Sequence, residues 1–195
     1  RREQQGALLY IDLDHFKNLN DTLGHDVGDE LLRRVGVRLR ACVREEDTVS
    51  RLGGDEFVVM IVALDADPKI AAAQAEMVAD KIIASFAAPF ELAGRPYRCT
   101  ASGGIALFAD RQNGIDDLRK RADLSMYQAK AGGRNTLRFF NPEMQTAINV
   151  RVALETDLSE AIERGQLVLH YQPQMARGGR LIGAEALLRW HQLHQ

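Results

Sequence analysis

Two acidic pairs are the residues of this chain best suited to chemistry. Asp12 and Asp14 end an apolar run, and Asp55 and Glu56 follow a pair of glycines. Taken alone, an Asp-x-Asp pair more often marks a strand end followed by a helix cap. If Asp12 and Asp55 come together from neighbouring strands, however, their oxygens form a hard site that suits Mg²⁺ or Mn²⁺ and triphosphate oxygens. Metal-assisted phosphoryl transfer requires such carboxylates, so the sequence predicts a metal and nucleotide site where the two stretches converge.

The second acidic pair lies at the tip of a predicted hairpin. Strand-forming runs over 48–52 and 57–63 flank Gly53 and Gly54. Glycine tolerates positive φ and carries no side chain, so this tip can bring its backbone close to a ligand. Adjacent residues of an extended chain point to opposite faces, so both acids serve one site only if the turn twists them. Asp55 is therefore the stronger candidate.

Groups that suit a nucleotide occur in two other places. Lys130 and Arg134 are four residues apart across a helix end and can clamp terminal phosphates, although such a pair more often offsets the helix dipole. Asn20, His25 and Asp29 surround a turn. Their amide, imidazole and carboxylate groups can read a purine edge and a ribose, although isolated residues of this kind are more often caps.

Apolar spacing indicates an α/β fold of the α+β type. We predict a strand over 7–13, a helix with Asp26 as its N-cap, an alanine-rich helix over 68–86 and a further helix over 115–131. The inner face of the alanine-rich helix is predicted to consist of Ile70, Ala73, Met77, Ile82 and Phe86. The element order β-α-β-β-α-β-α-β contains a split βαβ unit of the ferredoxin-like or palm type. This unit is an antiparallel sheet with helices packed on one face, and the other face is expected to be open to ligand.

Composition argues against several classes of partner. The chain has 195 residues, 46% of them hydrophobic, which suits one domain or one domain with a fragment of another. A net charge of −2 and a pI near 6.2 provide no general attraction to nucleic acid or anionic lipid. No apolar run of membrane-spanning length and no signal peptide occur, which favours a cytoplasmic chain, with a membrane-attached parent left open. Cys42 and Cys99 lack metal-binding spacing and are expected to be buried thiols.

Five motifs occur in a fixed order between residues 7 and 140. They are Asp12-Leu13-Asp14-His15-Phe16-Lys17 with Asn20-Asp21, Gly24-His25-Asp26 with Asp29, Gly53-Gly54-Asp55-Glu56-Phe57, Ala122-Asp123 with Tyr127-Gln128-Ala129-Lys130, and Gly133-Arg134-Asn135. Together they resemble the GGDEF diguanylate cyclase family. The resemblance implies a nucleotide cyclase-like fold and the Mg²⁺-dependent condensation of two GTP into cyclic di-GMP plus two pyrophosphates, across a homodimer.

The same resemblance implies a catalytic set at the two acidic stretches. Asp12, the Leu13 carbonyl and Asp55 would bind the metal. Asp55 or Glu56 would take the proton of the ribose 3′-hydroxyl, and Lys17 would contact phosphate. The metal and the cations would neutralise charge at the α-phosphate and on the leaving pyrophosphate.

Further substrate contacts are implied along the motifs. Asn20 and Asp29 match guanine readers, and His25 matches a substrate contact. The hairpin and the last helix end supply the others, which are Gly53, Gly54, Lys130 and Arg134.

An inhibitory site for the product is also implied. Arg44-Glu45-Glu46-Asp47 stands shortly before the hairpin, at the position of the family's RxxD site. Arg44 could stack on and pair with a guanine of cyclic di-GMP, and Asp47 could accept from a guanine edge. Without the family spacing, a solvated charge run is the favoured interpretation.

The resemblance implies one nearly complete domain and the start of a second. Residues 1–141 are predicted to form the GGDEF domain without its usual N-terminal helix, and 142–195 a linker helix over 143–164 and the start of an EAL phosphodiesterase domain. Glu185 and Arg189 match a metal ligand and a cyclic di-GMP contact of that family. A (β/α)₈ barrel needs about 250 residues, so this TIM-type fragment is incomplete and inactive by itself. We expect its two strands to be disordered or to pair with another chain.

Two competing functions share these residues. One is a catalytically silent module that senses GTP or cyclic di-GMP and regulates an EAL phosphodiesterase in the parent protein. Intact Asp55, Glu56 and Lys130 favour the enzyme over this alternative. The other is a polymerase-like palm, which would need a basic surface for a nucleic-acid track.

Overall fold

The structure of this protein is a computed structural model, and it describes two compact units. The described residues are 4–109, 114–142, 154 and 157–191. The units are Arg1–Met144 and Gln145–Gln195. The elements of the first unit are β1 (Gln5–Leu13), α1 (Phe16–Leu23), α2 (His25–Arg40), β2 (Thr48–Gly53), β3 (Glu56–Leu64), α3 (Pro68–Phe86), β4 (Phe90–Leu92), β5 (Arg95–Tyr97), β6 (Ala101–Ala109), α4 (Ile115–Ala131) and β7 (Leu137–Phe139).

Five of these strands form the central sheet, in the order β2-β3-β1-β6-β7. The β1 strand pairs antiparallel with β3 on one side and with β6 on the other, whereas β6 and β7 run parallel. The prediction of a wholly antiparallel sheet is therefore wrong at the last strand. A parallel pair needs a crossover connection, and α4 supplies it. The mixed α/β class is confirmed.

Helices cover both faces of this sheet. Leu9 and Ile11 of β1 point into a core shared with α1, α2 and α3. Tyr10 points the opposite way and clusters with Leu118 and Ala122 of α4. The prediction that one face is open to ligand is therefore wrong. β1 is apolar at most positions, a composition that is typical of a strand buried on both faces.

The α3 helix packs through small residues. Its fully or nearly buried positions include Ala71, Ala75 and Ala79, whereas Ile70 is 49% exposed and Met77 is 65% exposed. The predicted inner face is therefore correct at Ile82 and Phe86, which are buried, and wrong at Ile70 and Met77, because alanines at a spacing of four allow a closer approach to the sheet than the larger side chains would. Within the described part of the chain, no helix is both long and apolar enough to span a bilayer.

A short helix that the sequence did not predict precedes α2. The α1 helix ends at Leu23, and Gly24 is the N-cap of α2 with φ 86°. The predicted N-cap, Asp26, lies instead in the first turn of α2. The prediction was wrong because a glycine with positive φ lets two helices follow each other directly, so no side-chain cap is needed.

Both cysteines are buried thiols, as predicted. Burial, together with the nearby charge of Asp14, raises the pKa of Cys99 to about 12. At neutral pH this thiol therefore stays protonated and behaves as a small apolar group.

The second unit contains a strand pair. β8 (Leu167–Met175) and β9 (Leu181–Trp190) form a two-stranded antiparallel sheet. The expectation of disorder, or of pairing with another chain, is wrong for these strands because they pair with each other. The barrel fragment is not confirmed by this hairpin. Residues 157–163 of the predicted linker helix are helical, and most of that prediction lies outside the described residues.

A glycine in β6 allows α4 to lie close against the sheet. An ideal Cβ atom at Gly104 would lie 1.9 Å from the Ala122 carbonyl oxygen and 2.6 Å from the Met126 backbone nitrogen. Neither atom is at the end of a flexible side chain, so the helix itself would have to move. Because α4 carries Lys130, this contact also determines where that side chain can reach.

We predict that Gly104→Ala lowers the free energy of unfolding by at least about 1–3 kcal/mol, because it overpacks the contact between helix and strand. Gly36→Ala in α2 is the matched control, since its added Cβ would approach only Phe57 Cε1, at 3.9 Å. That substitution should raise stability by up to about 1 kcal/mol, as expected for alanine in a helix. Urea denaturation of both variants checks this, and equal stabilities would contradict the close packing of α4.

Candidate active site

Three segments meet at one end of the sheet. The Leu13 N–H at the end of β1 donates to the Asp55 carbonyl in the β2–β3 turn at 3.3 Å. Lys130, near the C-terminus of α4, places its Nζ atom 2.8 Å from Asp12 Oδ2. The two acidic stretches and one of the predicted cations therefore converge on the same place.

Asp12 lies in an unfavourable environment for a negative charge. Its side chain is 12% exposed. Burial raises its pKa, the charges of Asp55 and Asp14 raise it further, and Lys130 opposes the shift through its charge and hydrogen bond. Asp12 therefore has two carboxylates and one ammonium group as charged neighbours, and a further cation at this position would be stabilised.

The donor set suits a divalent cation that also binds a ligand. Within the described residues, no group of three or more His, Cys, Asp or Glu side chains is arranged to hold a metal. Mg²⁺ is usually bound by one or two carboxylates together with water and substrate phosphates. Asp12 and Asp55 match that limited requirement, and Leu13, whose carbonyl was the other predicted ligand, is hydrogen-bonded through its N–H to Asp55.

Glu56 reaches the same end of the sheet from β3. It lies directly opposite Asp12 in the antiparallel register, and residues paired in this way have side chains on one face. Its charge also raises the pKa of Tyr10, after the larger effects of burial and of Asp123. Asp55 lies in the turn rather than in the strand, so strand alternation does not separate the two acids.

The hairpin tip is open around its glycines. Gly54 has φ 51°, and a Cβ atom added at Gly53 or Gly54 would meet no protein atom within 4 Å. The Arg51 guanidinium donates to the Gly54 carbonyl at 2.9 Å and holds the tip. The predicted close backbone approach to a ligand is therefore sterically available here.

The predicted purine-reading residues lie on α1 and α2. Asn20 is on α1, His25 begins α2, and Asp29 lies one turn further along α2. The Asn20 Oδ1 atom is buried without a hydrogen-bond partner. It lies against Gly28, where an added Cβ would be 1.9 Å away. A buried acceptor without a partner is rare in folded proteins.

Asp29 also borders a cavity of about 580 Å³ between α2 and the hairpin strands. Arg33, Arg51 and Phe57 line it together with other residues. Asn20 and His25 are not among its lining residues, so this cavity contains only one of the three predicted contacts. Of the two other predicted phosphate contacts, Lys17 lies on the exposed side of α1, and Arg134 follows α4 with its Nε atom 4.0 Å from Asp14 Oδ1.

Asp14 has a role that the sequence did not indicate. Position 15, not 14, is the N-cap of α1, and no side chain caps that helix. Asp14 instead accepts hydrogen bonds from Thr100 Oγ1 and Ser102 Oγ, both at 2.7 Å. The sequence signal was weak because its partners are almost ninety residues away along the chain.

The RxxD segment is only partly exposed. Arg44 lies on the surface and forms a loose pair with Glu46 at 3.8 Å. Asp47 is 3% exposed. Its carboxylate accepts the Arg44 N–H at 3.0 Å and the Val62 N–H at 3.1 Å. Asp47 therefore links this turn to β3 through hydrogen bonds. Of the two motif residues, Arg44 is the one whose side chain is accessible to a ligand.

In the second unit, Glu185 and Arg189 lie on β9. Both residues are exposed. Glu185 pairs in register with Gln172, and the Arg189 guanidinium donates to the Leu188 carbonyl at 3.1 Å.

Two known domains match this chain. The profile of the diguanylate cyclase GGDEF domain matches residues 1–136, and that of the EAL domain matches residues 155–195. The bifunctional diguanylate cyclase/cyclic di-GMP phosphodiesterase MucR of Pseudomonas aeruginosa is 44% identical over 191 residues, 97% of this chain and 27% of MucR. The cyclic di-GMP phosphodiesterase NbdA of the same species is 38% identical over 94% of this chain and 23% of NbdA. The chain spans about a quarter of the length of these relatives.

Solved structures of the same domain are similar to this one. The GGDEF domain of TpbB, also named YfiN, from Pseudomonas aeruginosa has a TM-score of 0.69 and 38% identity, covering 75% of this chain and 83% of that one. The GGDEF domain of DgcB from Caulobacter crescentus, in complex with c-di-GMP, has a TM-score of 0.60 and 26% identity, covering 70% and 78%.

We predict that Asp47→Asn destabilises the protein by about 1–3 kcal/mol, because an amide offers one acceptor oxygen to two buried backbone donors. Glu46→Gln, on the same turn but exposed, should change stability by less than about 0.5 kcal/mol. Thermal or urea unfolding distinguishes them. Equal stability of the two variants would mean that the Asp47 contacts do not hold this turn.

Proposed function

This chain belongs to the diguanylate cyclase GGDEF family, and on that premise we propose that residues 1–141 condense two GTP into cyclic di-GMP and two pyrophosphates. The convergence of Asp12, Asp55 and Lys130 is the observation that carries this proposal. It brings together acids able to share a divalent cation and a base able to contact phosphate. Mg²⁺, or Mn²⁺, would be held by Asp12, Asp55 and the Leu13 carbonyl.

The chemistry proposed is the attack of the ribose 3′-hydroxyl of each GTP on the α-phosphorus of the other, so that the step described next occurs twice for each cyclic di-GMP formed. When bound, the metal would neutralise charge at the phosphate and would lower the pKa of the hydroxyl. Asp55 or Glu56 accepts the hydroxyl proton, a new P–O bond forms at the α-phosphorus, and the bond to the leaving pyrophosphate breaks. Lys17, Lys130 and Arg134 stabilise the negative charge of the triphosphate and of the leaving group.

Guanine selection is proposed to involve α1 and α2. The unpartnered Asn20 Oδ1 supports a contact with a donor on the base, and a base on that side can also meet Asp29. His25 contacts the substrate at the start of α2. The open space at Gly53 and Gly54 supports close passage of the nucleotide over the hairpin.

Catalysis requires two copies of this domain. Each copy offers one set of acids and cations and so holds one GTP, whereas the product contains two guanosine units. We therefore propose a homodimer whose sites face each other, with an isolated monomer binding GTP without turnover. A cytoplasmic location, as expected from the sequence, is part of the same proposal.

A second candidate is a silent sensing module. The similarity to NbdA, named as a cyclic di-GMP phosphodiesterase, and the match of residues 155–195 to the EAL domain favour it. In this case GTP or cyclic di-GMP binds to the first domain and regulates an EAL domain of the longer parent. Glu185 and Arg189 would belong to that domain and need the rest of it to act.

We predict that Asp55→Asn lowers cyclic di-GMP synthesis from GTP and Mg²⁺ by at least about a hundredfold while leaving the fold intact. The substitution removes the proposed metal-binding carboxylate but keeps the Asp55 backbone carbonyl, which is the group that accepts the Leu13 N–H. Asp80→Asn, an exposed change on α3, is the control and should synthesise product normally. If the unmodified protein, tested as a dimer, binds GTP but forms no product over long incubation, the sensing module is the correct function.

Feedback by the product is proposed to act through the RxxD segment. The exposed guanidinium of Arg44 can stack on and pair with a guanine of cyclic di-GMP. Asp47 belongs to the same site and shapes it through its clasp with the Arg44 and Val62 backbones.

We expect Arg44→Ala to raise the cyclic di-GMP concentration needed for half-inhibition by about tenfold, the loss of one charge-assisted contact. Glu46→Ala should leave that concentration unchanged. The measurement is the rate of pyrophosphate release at increasing product. Inhibition of the Arg44 variant at the original concentration would show that this segment is only a solvated charge run.

A further inference from the structure

Asp14 is a buried carboxylate whose contacts join three parts of the site. Its side chain is 1% exposed. Besides Thr100 Oγ1 and Ser102 Oγ, it accepts the backbone N–H of Asn135 at 3.2 Å. Its own N–H donates to the Thr100 carbonyl at 2.9 Å. The end of β1, the start of β6 and the turn after α4 are therefore tied to one side chain.

The turn after α4 depends on such external contacts. Arg134 has φ 65° and Asn135 has φ 50°, so two successive residues adopt a left-handed conformation, which is unfavourable for arginine and better tolerated by asparagine. The Asn135 N–H is shared between Asp14 Oδ2 and Ser102 Oγ, the latter at 3.1 Å. These hydrogen bonds stabilise the backbone conformation of the turn.

The same carboxylate also faces the cation carried by this turn. Arg134 Nε lies 4.0 Å from Asp14 Oδ1, and the arginine side chain is 48% exposed. The Nε side of the guanidinium thus faces the Asp14 carboxylate, while about half of the arginine side chain remains accessible. Asp12 makes the equivalent link to Lys130 on the same helix end. Asp12 and Asp14, at the end of β1, therefore pair with Lys130 and Arg134, at the end of α4.

We propose that Asp14 is a positioning residue that holds the turn at 132–135 so that Arg134 faces the nucleotide phosphates. This inference rests on the proposed nucleotide site. Both Asp14 oxygens already accept hydrogen bonds from protein groups, so Asp14 acts through Arg134 and not as a metal ligand. Asp12 and Asp14, two residues apart, thus have different tasks.

A double-mutant cycle tests this assignment. Affinity is measured by calorimetry for guanosine 5′-[α,β-methylene]triphosphate with Mg²⁺, a probe whose α–β bridge cannot be cleaved. We expect Asp14→Asn and Arg134→Ala each to weaken binding by about tenfold, which is the size of one charge-assisted contact. If Asp14 acts through Arg134, the double variant binds no more weakly than Arg134→Ala alone, because both substitutions remove the same contact between Arg134 and the phosphates.

Asp67→Ala separates positioning from general destabilisation. Asp67 is the N-cap of α3 and accepts the N–H groups of Lys69 and Ile70, so its removal lowers stability at a distance from the turn. This variant should bind the probe as the unmodified protein does. If Asp14→Asn does not fold, Ser102→Ala removes one donor to Asp14 and one acceptor of Asn135, and it should weaken binding about threefold, again not additively with Arg134→Ala.

Each result decides the assignment. Unchanged affinity of Asp14→Asn, or losses that multiply to about a hundredfold in the double variant, overturns it while leaving the nucleotide site in place. A comparable loss of affinity in Asp67→Ala overturns it as well, since the effect would then follow stability. Failure of the unmodified protein to bind the probe at all would instead reject the nucleotide site on which this inference depends.

Discussion

The contact between the Lys130 ammonium and the Asp12 carboxylate, at 2.8 Å, links the end of α4 to the end of β1. Asp12 is almost buried and has two further carboxylates close enough to raise its pKa. Leaving a buried charge without its partner costs about 3–5 kcal/mol, so this contact strongly constrains where α4 can end. Lys130 and the half-exposed Arg134, which lies 4.0 Å from Asp14, do not balance the carboxylates of Asp12, Asp14, Asp55 and Glu56 at this end of the sheet. This excess of negative charge is the physical reason why a divalent cation suits this place.

Packing next to the site makes that contact possible. Gly104 lets the backbone of α4 approach β6 at a distance that no side chain permits, and Tyr10, Leu118 and Ala122 close the interface. Asp14 then holds the turn that follows the helix. The positions of Lys130 and Arg134 therefore depend on Gly104 and on Asp14, whose own carboxylate is buried.

Regular local patterns could be predicted from the sequence, and long-range packing could not. The helices at 68–86 and 115–131 and the acidic hairpin tip follow from apolar spacing, proline and glycine, which act within a few residues. The covered second face, the alanine side of α3 and the partners of Asp14 depend on segments distant in the chain. Asp47 illustrates the same limit, since its motif indicated a ligand contact while its carboxylate is engaged by backbone groups.

The central claim is that Asp12 and Asp55 share one divalent cation with a guanosine triphosphate. A crystal structure of the protein with Mn²⁺ and a non-cleavable GTP analogue, with anomalous diffraction to locate the metal, tests it most directly. The account predicts an anomalous peak within ligand distance of a carboxylate oxygen of both aspartates and of a phosphate oxygen. A peak bound by the triphosphate alone, with Lys130 still paired to Asp12, would contradict it.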